Sequence, residues 1–312
     1  MAMHIVVGEC MVEMSGRAEH LYYQTYAGDT YNTAVYLKRC NPNLDVAYWT
    51  AAGTDPLSQG FLDSLVQEQL DPSLVLRQKD KTLGLYLINT DCKGERSFAY
   101  WRSDSAARQL LGVLHEQTAR NIVDQASSLF FSGISLAILS DDNRKQFLQK
   151  VTELKERGCR IIFDPNYRPK LWQSVEHARD YTDKAYQLAT IAFPGCDDHK
   201  TLYGQADLDA VKHHVQALGV EEIVIKNGEH GVQIFSGSQH YIEPAYVVKQ
   251  VVDTTAAGDA FNGGYLAARL AGQNEQRSAR FGAKLAAFVI GHRGAIVEKA
   301  TMADFLTLNR IV

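Results

Sequence analysis

The sequence predicts an α/β fold in three layers, α/β/α: a mostly parallel central sheet between helices, with a small second sheet projecting from it. Two observations carry this. From about residue 128 the chain alternates short apolar, β-branched runs with amphipathic stretches, the pattern of strand–helix–strand units. The first third instead interleaves four β-rich segments that do not fit that repeat. A length of 312 residues is enough to bury a large core, and no repeat or Pro/Gly/Ser linker divides it, so one domain over 1–312 is expected.

The elements follow in chain order. The short apolar run around Ile5-Val6-Val7 reads as a first strand; no basic segment precedes it, so it does not read as a signal peptide. Glu9–Ser15 and Leu21–Tyr26 read as strands, followed by a helix at 30–40, a strand at 45–51 and a helix at 58–69. In Thr82–Asn89, Leu83, Leu85 and Leu87 alternate against Gly84, Tyr86 and Ile88; Glu95–Arg102 is the fourth segment of this kind. Residues 9–28 and 82–103 are therefore expected to form a lid that excludes water from a site beneath it. The other reading, in which they extend the main sheet, stays open here. Leu129–Ile134 begins the regular part, followed by a helix with Phe147, Leu148, Val151 and Leu154 on one side. Strands Arg160–Asp164, Thr190–Phe193 and Glu222–Lys226 alternate with helices near 176–188 and 207–218. Gly231–Phe235 and His240–Ile242 form a hairpin around Ser236-Gly237-Ser238, and helices near 259–271 and 278–290 close the chain.

Composition excludes several function classes. The formal charge of 32 − 36 = −4 comes with scattered cations and no basic stripe interleaved with aromatics, so nucleic acid is not an expected partner. Apolar stretches fall well short of a membrane span. Cys10, Cys40, Cys92, Cys159 and Cys196 are dispersed, with no Cys-x-x-Cys pair, which suits a reducing cytoplasm better than a disulfide framework or zinc site. The histidines form no ligand-spaced cluster. No Gly-x-Gly-x-x-Gly follows the first strand and no P-loop occurs, against a dinucleotide dehydrogenase or a P-loop enzyme.

The most informative segment is Val251–Tyr265. A strand-like run stops at Asp253, and a helix starts near Ala257 after a turn of small residues that closes on Asp259. Tiny side chains let an anion approach the backbone, and the first-turn N–H groups point at it. A carboxylate beside a bound phosphate makes sense mainly as a base, which reads as phosphoryl transfer. A plain helix-capping role for Asp259 is the other reading of the local pattern. Further up the chain, Asp29 and Asn32 stand one helical turn apart and can face one polyol.

With these residues in view, the chain resembles the ribokinase (PfkB-type) carbohydrate kinases from Gly8 to Ala295. Asp253-Thr254-Thr255-Ala256-Ala257-Gly258-Asp259 matches that family's C-terminal signature. Ala27–Val35 occupies the place of its N-terminal sugar-binding segment. The resemblance implies a ribokinase-like fold, Asp259 as catalytic base, and the amides of Ala256, Ala257, Gly258 and Asp259 as an anion hole. The form Gly28-Asp29-Thr30-Tyr31-Asn32-Thr33 is similar to the branch acting on 2-keto-3-deoxygluconate, as are Ser132–Ala137 and Asp164–Trp172. By that resemblance Gly28, Asp29 and Asn32 hold sugar hydroxyls, and Tyr86, Tyr100, Arg102 and Arg168 contact the keto-acid end. Guanidinium suits this because its planar fork pairs with carboxylate.

The nucleotide side departs from the family pattern. Where an Asn-x-x-Glu segment is usual, the chain has Gly195-Cys196-Asp197-Asp198; Asp198, or Asp197 instead, would anchor magnesium through water. Lys226, Gly228, Gly231 and Gly258 would border ATP, with residues near 285–291 along the adenine. The implied reaction is ATP- and Mg2+-dependent phosphorylation of the 6-hydroxyl, and the implied assembly is a homo-oligomer through the lid sheet. A kinase for fructose, ribose or the galacto epimer, and a catalytically silent sugar-binding regulator, are the alternatives.

Overall fold

The computed structural model describes residues 2–18, 20–90 and 96–311; Cys92 and Glu95 lie outside the described residues. Its strands are β1 (Met3–Val7), β2 (Met11–Ala18), β3 (Leu21–Ala27), β4 (Asp45–Ala52), β5 (Val75–Arg77), β6 (Gly84–Thr90), β7 (Arg96–Trp101), β8 (Ala126–Ser132), β9 (Arg160–Asp164), β10 (Ile191–Ala192), β11 (Glu222–Lys226), β12 (Val232–Ser236) and β13 (Gln239–Glu243). Nine of them form the main sheet in the order β13-β12-β11-β10-β9-β8-β1-β4-β5. Its pairings are parallel from β5 through β11, and the β12–β13 hairpin adds an antiparallel edge.

Near-continuous apolar runs are what a sheet covered on both faces requires. Strand alternation then divides them between two cores. Ile5, Val7, Phe131, Ile161 and Phe163 face one helical layer with Phe147 and Tyr186. Val6, Phe130 and Ile162 face the other, with Tyr36, Tyr265 and Leu285. The chain first winds from β1 toward β4 and β5, then returns to place β8 on the other side of β1. In open α/β sheets the crevice at the carboxyl ends of the strands beside such a reversal is where ligands bind.

The four interleaved strands do not extend the main sheet. They form a separate one in the order β3-β2-β6-β7, with β2 and β6 parallel and the outer pairs antiparallel. Leu21, Tyr22, Tyr23, Phe98, Tyr100 and Trp101 of this sheet are exposed.

Some elements differ from expectation for local reasons. The strand expected to run to Ile134 stops at Ser132, whose hydroxyl caps the helix Gly133–Ala137 in a reciprocal box with Ser135. The first closing helix begins at Ala257, as the turn of small residues led one to expect, while the second begins at Glu275, ahead of the expected 278, because Asn274 caps it. The 3₁₀ segment Ala106–His115 and the helices Gln117–Asp124 and Lys299–Leu308 have no counterpart in the sequence reading. Among the described residues, no helix is long and apolar enough to cross a membrane.

Candidate active site

The turn before the Ala257–Leu270 helix is pinned from both sides. The amides of Val252 and Asp253 donate to the Ile290 carbonyl at 2.8 and 3.1 Å. The buried Asp253 carboxylate accepts from the amides of Thr255 and Gly294, both at 3.0 Å. Ala256 occupies the N-cap position, and no side chain caps the helix. The Ala257 amide donates to the Thr254 carbonyl at 3.2 Å, and the Gly258 and Asp259 amides that follow are left to whatever anion enters. Asp259 does not act as the cap. Its carboxylate is turned toward the Asp29–Cys40 helix, where it accepts from Asn32 Nδ2 at 2.8 Å, while Thr33 Oγ1 donates to its main-chain oxygen at 3.3 Å.

Two helix N-termini therefore meet at one point. Gly28 precedes the first of them in an extended conformation; a Cβ there would stand 2.2 Å from the Glu9 carbonyl oxygen, so a side chain is excluded. Asp29 accepts from Asn166 Nδ2 at 2.8 Å. Asn166 itself sits at a positive φ of 35°, held by its amide donating to Asp164 Oδ1 at 3.2 Å. Asp164 is the hub of the cleft: its Oδ2 accepts from Lys226 Nζ and from Asn262 Nδ2, both at 2.6 Å. Asp164, Asn166 and Asn262 were missed as site residues. Signals existed, since Asp164 ends a buried strand at its carboxyl end and Asn262 follows Asp259 by one helical turn.

The charges are unevenly matched. Burial, then the neighbouring Asp29 and Asp164 carboxylates, push Asp259 well above the usual carboxylate range, against the Asn32 bond and Lys226. Burial and Asp164 raise Asp198 to about 6, against Lys226, Arg168 and the Tyr167 amide. Arg168 lies half exposed, with Nη1 3.9 Å from Asp198 Oδ1 and 3.0 Å from the Tyr167 carbonyl. Asp197 is exposed on the same helix turn. Among the described residues, no three metal-ligating side chains cluster. A divalent cation here would draw most of its oxygens from a phosphorylated ligand and water, as magnesium commonly does. The raised Asp198, whose ion-pair partner Arg168 stands 3.9 Å away, fits such an ion.

The second sheet supplies the other wall. The Tyr86 hydroxyl donates to the buried carboxylate of Glu13, to which Thr25 also donates at 3.3 Å. Tyr100, exposed, tilts against the Tyr86 ring at 5.8 Å. Arg102 Nη2 and Ser105 Oγ both donate to Glu9, a carboxylate only 1 % exposed, and Arg102 Nε is buried without a partner among the described residues. Arg102 thus reaches the cleft with its charge already compensated, which its sequence position did not reveal. Glu9 and Glu13 were also missed, because a carboxylate inside a strand-like run carries no local signature.

Across the Ala257 helix start lies a cavity of about 600 Å³, lined by Val248, Ala283, Ala286, Ala287 and Ile290 together with Lys226, Gly228 and Gly258. The expected 285–291 segment contributes three of these residues. A Cβ on Gly258 would stand 3.8 Å from Lys226 Nζ, so this lysine lies against the helix start as well as on Asp164. Gly231 is required by its backbone: φ is 85°, and a Cβ would come within 2.3 Å of the Glu243 carbonyl. The geometry thus unites an amide-rich anion site, a lysine, a carboxylate with raised proton affinity and an apolar slot. Such a site can bind a polyphosphate, accept a proton beside its terminal group, and hold a polyol opposite.

Comparison with known proteins agrees. Residues 1–301 match the family model described as pfkB family carbohydrate kinase. A 2-dehydro-3-deoxygluconokinase of Dickeya dadantii (strain 3937) is 40% identical over 302 residues, covering 95% of this chain and 97% of the relative. The 2-dehydro-3-deoxygluconokinase of Escherichia coli (strain K12) is 40% identical over 304 residues, with the same coverage. Among solved structures, a putative ribokinase II from E. coli in complex with ATP and Mg2+ superposes with a TM-score of 0.84 at 20% identity, over 99% of this chain and 100% of that one.

Proposed function

Because the chain belongs to the pfkB family of carbohydrate kinases, we infer that it transfers the γ-phosphoryl group of ATP to the 6-hydroxyl of 2-keto-3-deoxygluconate. The product is 2-keto-3-deoxy-6-phosphogluconate, the substrate for aldolase cleavage in the Entner–Doudoroff pathway. The observation that carries the chemistry is the uncapped start of the Ala257 helix beside Asp259, whose carboxylate Asn32 holds at 2.8 Å.

In this reading ATP lies in the apolar cavity with its terminal phosphate at the amides of Gly258 and Asp259, and Lys226 alongside. Gly28, Asp29 and Asn32 hold the sugar hydroxyls, and Arg168 pairs with the carboxylate, which directs the terminal CH2OH at Asp259. Asp259 takes the hydroxyl proton as that oxygen forms its bond to the γ-phosphorus and the bond to the ADP oxygen breaks. Its raised proton affinity suits this task. The amides and Lys226 meet the developing charge. Asp198 would hold magnesium through water; the ion's contribution when bound is to neutralise phosphate charge.

The second sheet acts as the lid that keeps water from replacing the sugar as acceptor. Its exposed Tyr22, Tyr23, Phe98 and Trp101 favour a second copy of the chain as their cover. The free cysteines support a cytoplasmic setting.

An ADP-release assay run in parallel on 2-keto-3-deoxygluconate, its galacto epimer, fructose and ribose tests the reading. Turnover should be highest with the acid sugars. Faster turnover with fructose or ribose would replace the substrate assignment, and no ADP release with any of the four would favour the regulator.

A further inference from the structure

We propose that a second cavity, on the other flank of the Glu275–Ile290 helix, binds a small phosphorylated molecule. This cavity holds about 460 Å³ and is lined by four cations, Arg277, Arg280, Lys284 and Arg310, over an apolar wall that includes Phe281 and Leu308. No carboxylate lines it among the described residues. Arg277 and Lys284 are spent on neutral acceptors, the Gln273 amide oxygen at 3.3 Å and the Asn309 amide oxygen at 3.2 Å. Arg280 reaches Glu243 at 3.6 Å, outside the cavity lining; Arg277, Lys284 and Arg310 make no ion pair among the described residues.

Arg277, Arg280 and Arg310 are exposed, so solvent screens part of their mutual repulsion, and what remains favours a counter-anion. Arg277, Arg280 and Lys284 follow at i, i+3 and i+7, so they share one helix face, where like charges repel. Arg310 adds a fourth positive charge from the C-terminal segment, in a chain whose formal net charge is −4. A multiply charged anion removes the repulsion, and guanidinium forks match phosphate oxygens bidentately. The volume lies within the range of small-molecule pockets. The cations converge on one concavity rather than running as a stripe, which selects a compact ligand over a nucleic acid. The site is separate from the nucleotide cavity, which takes Ala283, Ala286, Ala287 and Ile290 from the same helix.

Calorimetric titration of inorganic pyrophosphate into the full-length protein, saturated beforehand with ADP in low-salt buffer, tests this. With the nucleotide cavity filled, the wild type should bind one equivalent, weakening as salt is added. The double variant Arg277→Gln/Arg310→Gln should lose at least about tenfold in affinity, as expected for two missing charge-assisted contacts, with kcat and KM for ATP unchanged. Lys284→Gln alone should weaken binding in the same direction and supplies the reading if the double variant does not fold. No binding by the ADP-loaded wild type, or equal affinity in the wild type and the charge-removed variants, would overturn the proposal.

Discussion

The two sides of the Ala257 helix start are built by opposite means. On the proposed sugar side most charged groups already have a close partner: Asp259 has Asn32, Asp29 has Asn166, Asp164 has Lys226 and Asn262, and Arg102 has Glu9, Arg168 being the exception. On the proposed nucleotide side the lining is mostly apolar, alanines, valines, an isoleucine, Tyr246 and Phe261, with few polar groups such as Lys226 and Glu229. The first construction fixes orientation, because each side chain is held by a bond that a misplaced ligand would have to break. The second fixes only shape, since apolar burial is non-directional. Single substitutions should therefore act sharply on the sugar side and gradually on the nucleotide side.

The largest effect is expected at Asp259. Asp259→Asn keeps the size and can still pair with Asn32, but it cannot take a proton. Its kcat should fall by roughly 10²–10⁴, the usual contribution of a general base, with ADP affinity unchanged. Near-normal turnover would show that the carboxylate organises the helix start without reacting. Next comes Arg168, whose half-exposed guanidinium is only loosely tied to Asp198. Arg168→Ala should raise KM for the acid sugar by about tenfold to a hundredfold, the worth of a charge-assisted bond of about 1.5–3 kcal/mol, and leave KM for ATP alone. If the acid sugar's KM moves with Arg102→Ala and not with Arg168→Ala, the Glu9-compensated arginine is the one that reads the carboxylate.

The contrast also explains what could be read in the sequence. The Ala257 helix start was legible because its chemistry is local: small residues, a stop in the strand run and a carboxylate within a few positions. The parallel sheet was legible from apolar runs too continuous for a one-faced sheet. The partners of the charges were not, because each pair joins distant segments: Glu9 with Arg102, Asp29 with Asn166, Asp164 with Asn262. Nothing adjacent to Glu9 announces a buried carboxylate. The segment near 285–291, proposed to lie along the adenine, rested on position alone, since an apolar wall of a cavity and an apolar wall of a core have the same composition.

Asp198 tests whether the polar side is complete without a cation. Its folded-state value of about 6 lies above the ordinary carboxylate value, so the stability it contributes is present in acid and is lost as pH rises through about 6. Asp198→Asn has no such loss. In metal-free buffer the variant and wild type should unfold at similar temperatures at or below about pH 4, with the variant gaining as pH rises from there to about 6 and keeping that gain above it. Magnesium binding to the wild type should weaken up to about tenfold per pH unit below that value, because the protonated acid does not hold the ion. A pH-independent gap between the two proteins would mean that Asp198 is not under this strain.

The smallest effect belongs to the apolar side and is the more demanding test of the contrast. Ile290 lines the nucleotide cavity with its side chain, while its carbonyl anchors the amides of Val252 and Asp253. Ile290→Val keeps the backbone anchor and removes one CH2, worth about 0.8 kcal/mol when buried, so KM for ATP should rise no more than about fourfold. kcat and KM for the sugar should stay where they are, because shape lost at one wall of the cavity does not turn any group of the polar side. A change in kcat would mean that the side chain also sets the pinned turn ahead of Ala257, and the two sides would then be one mechanical unit.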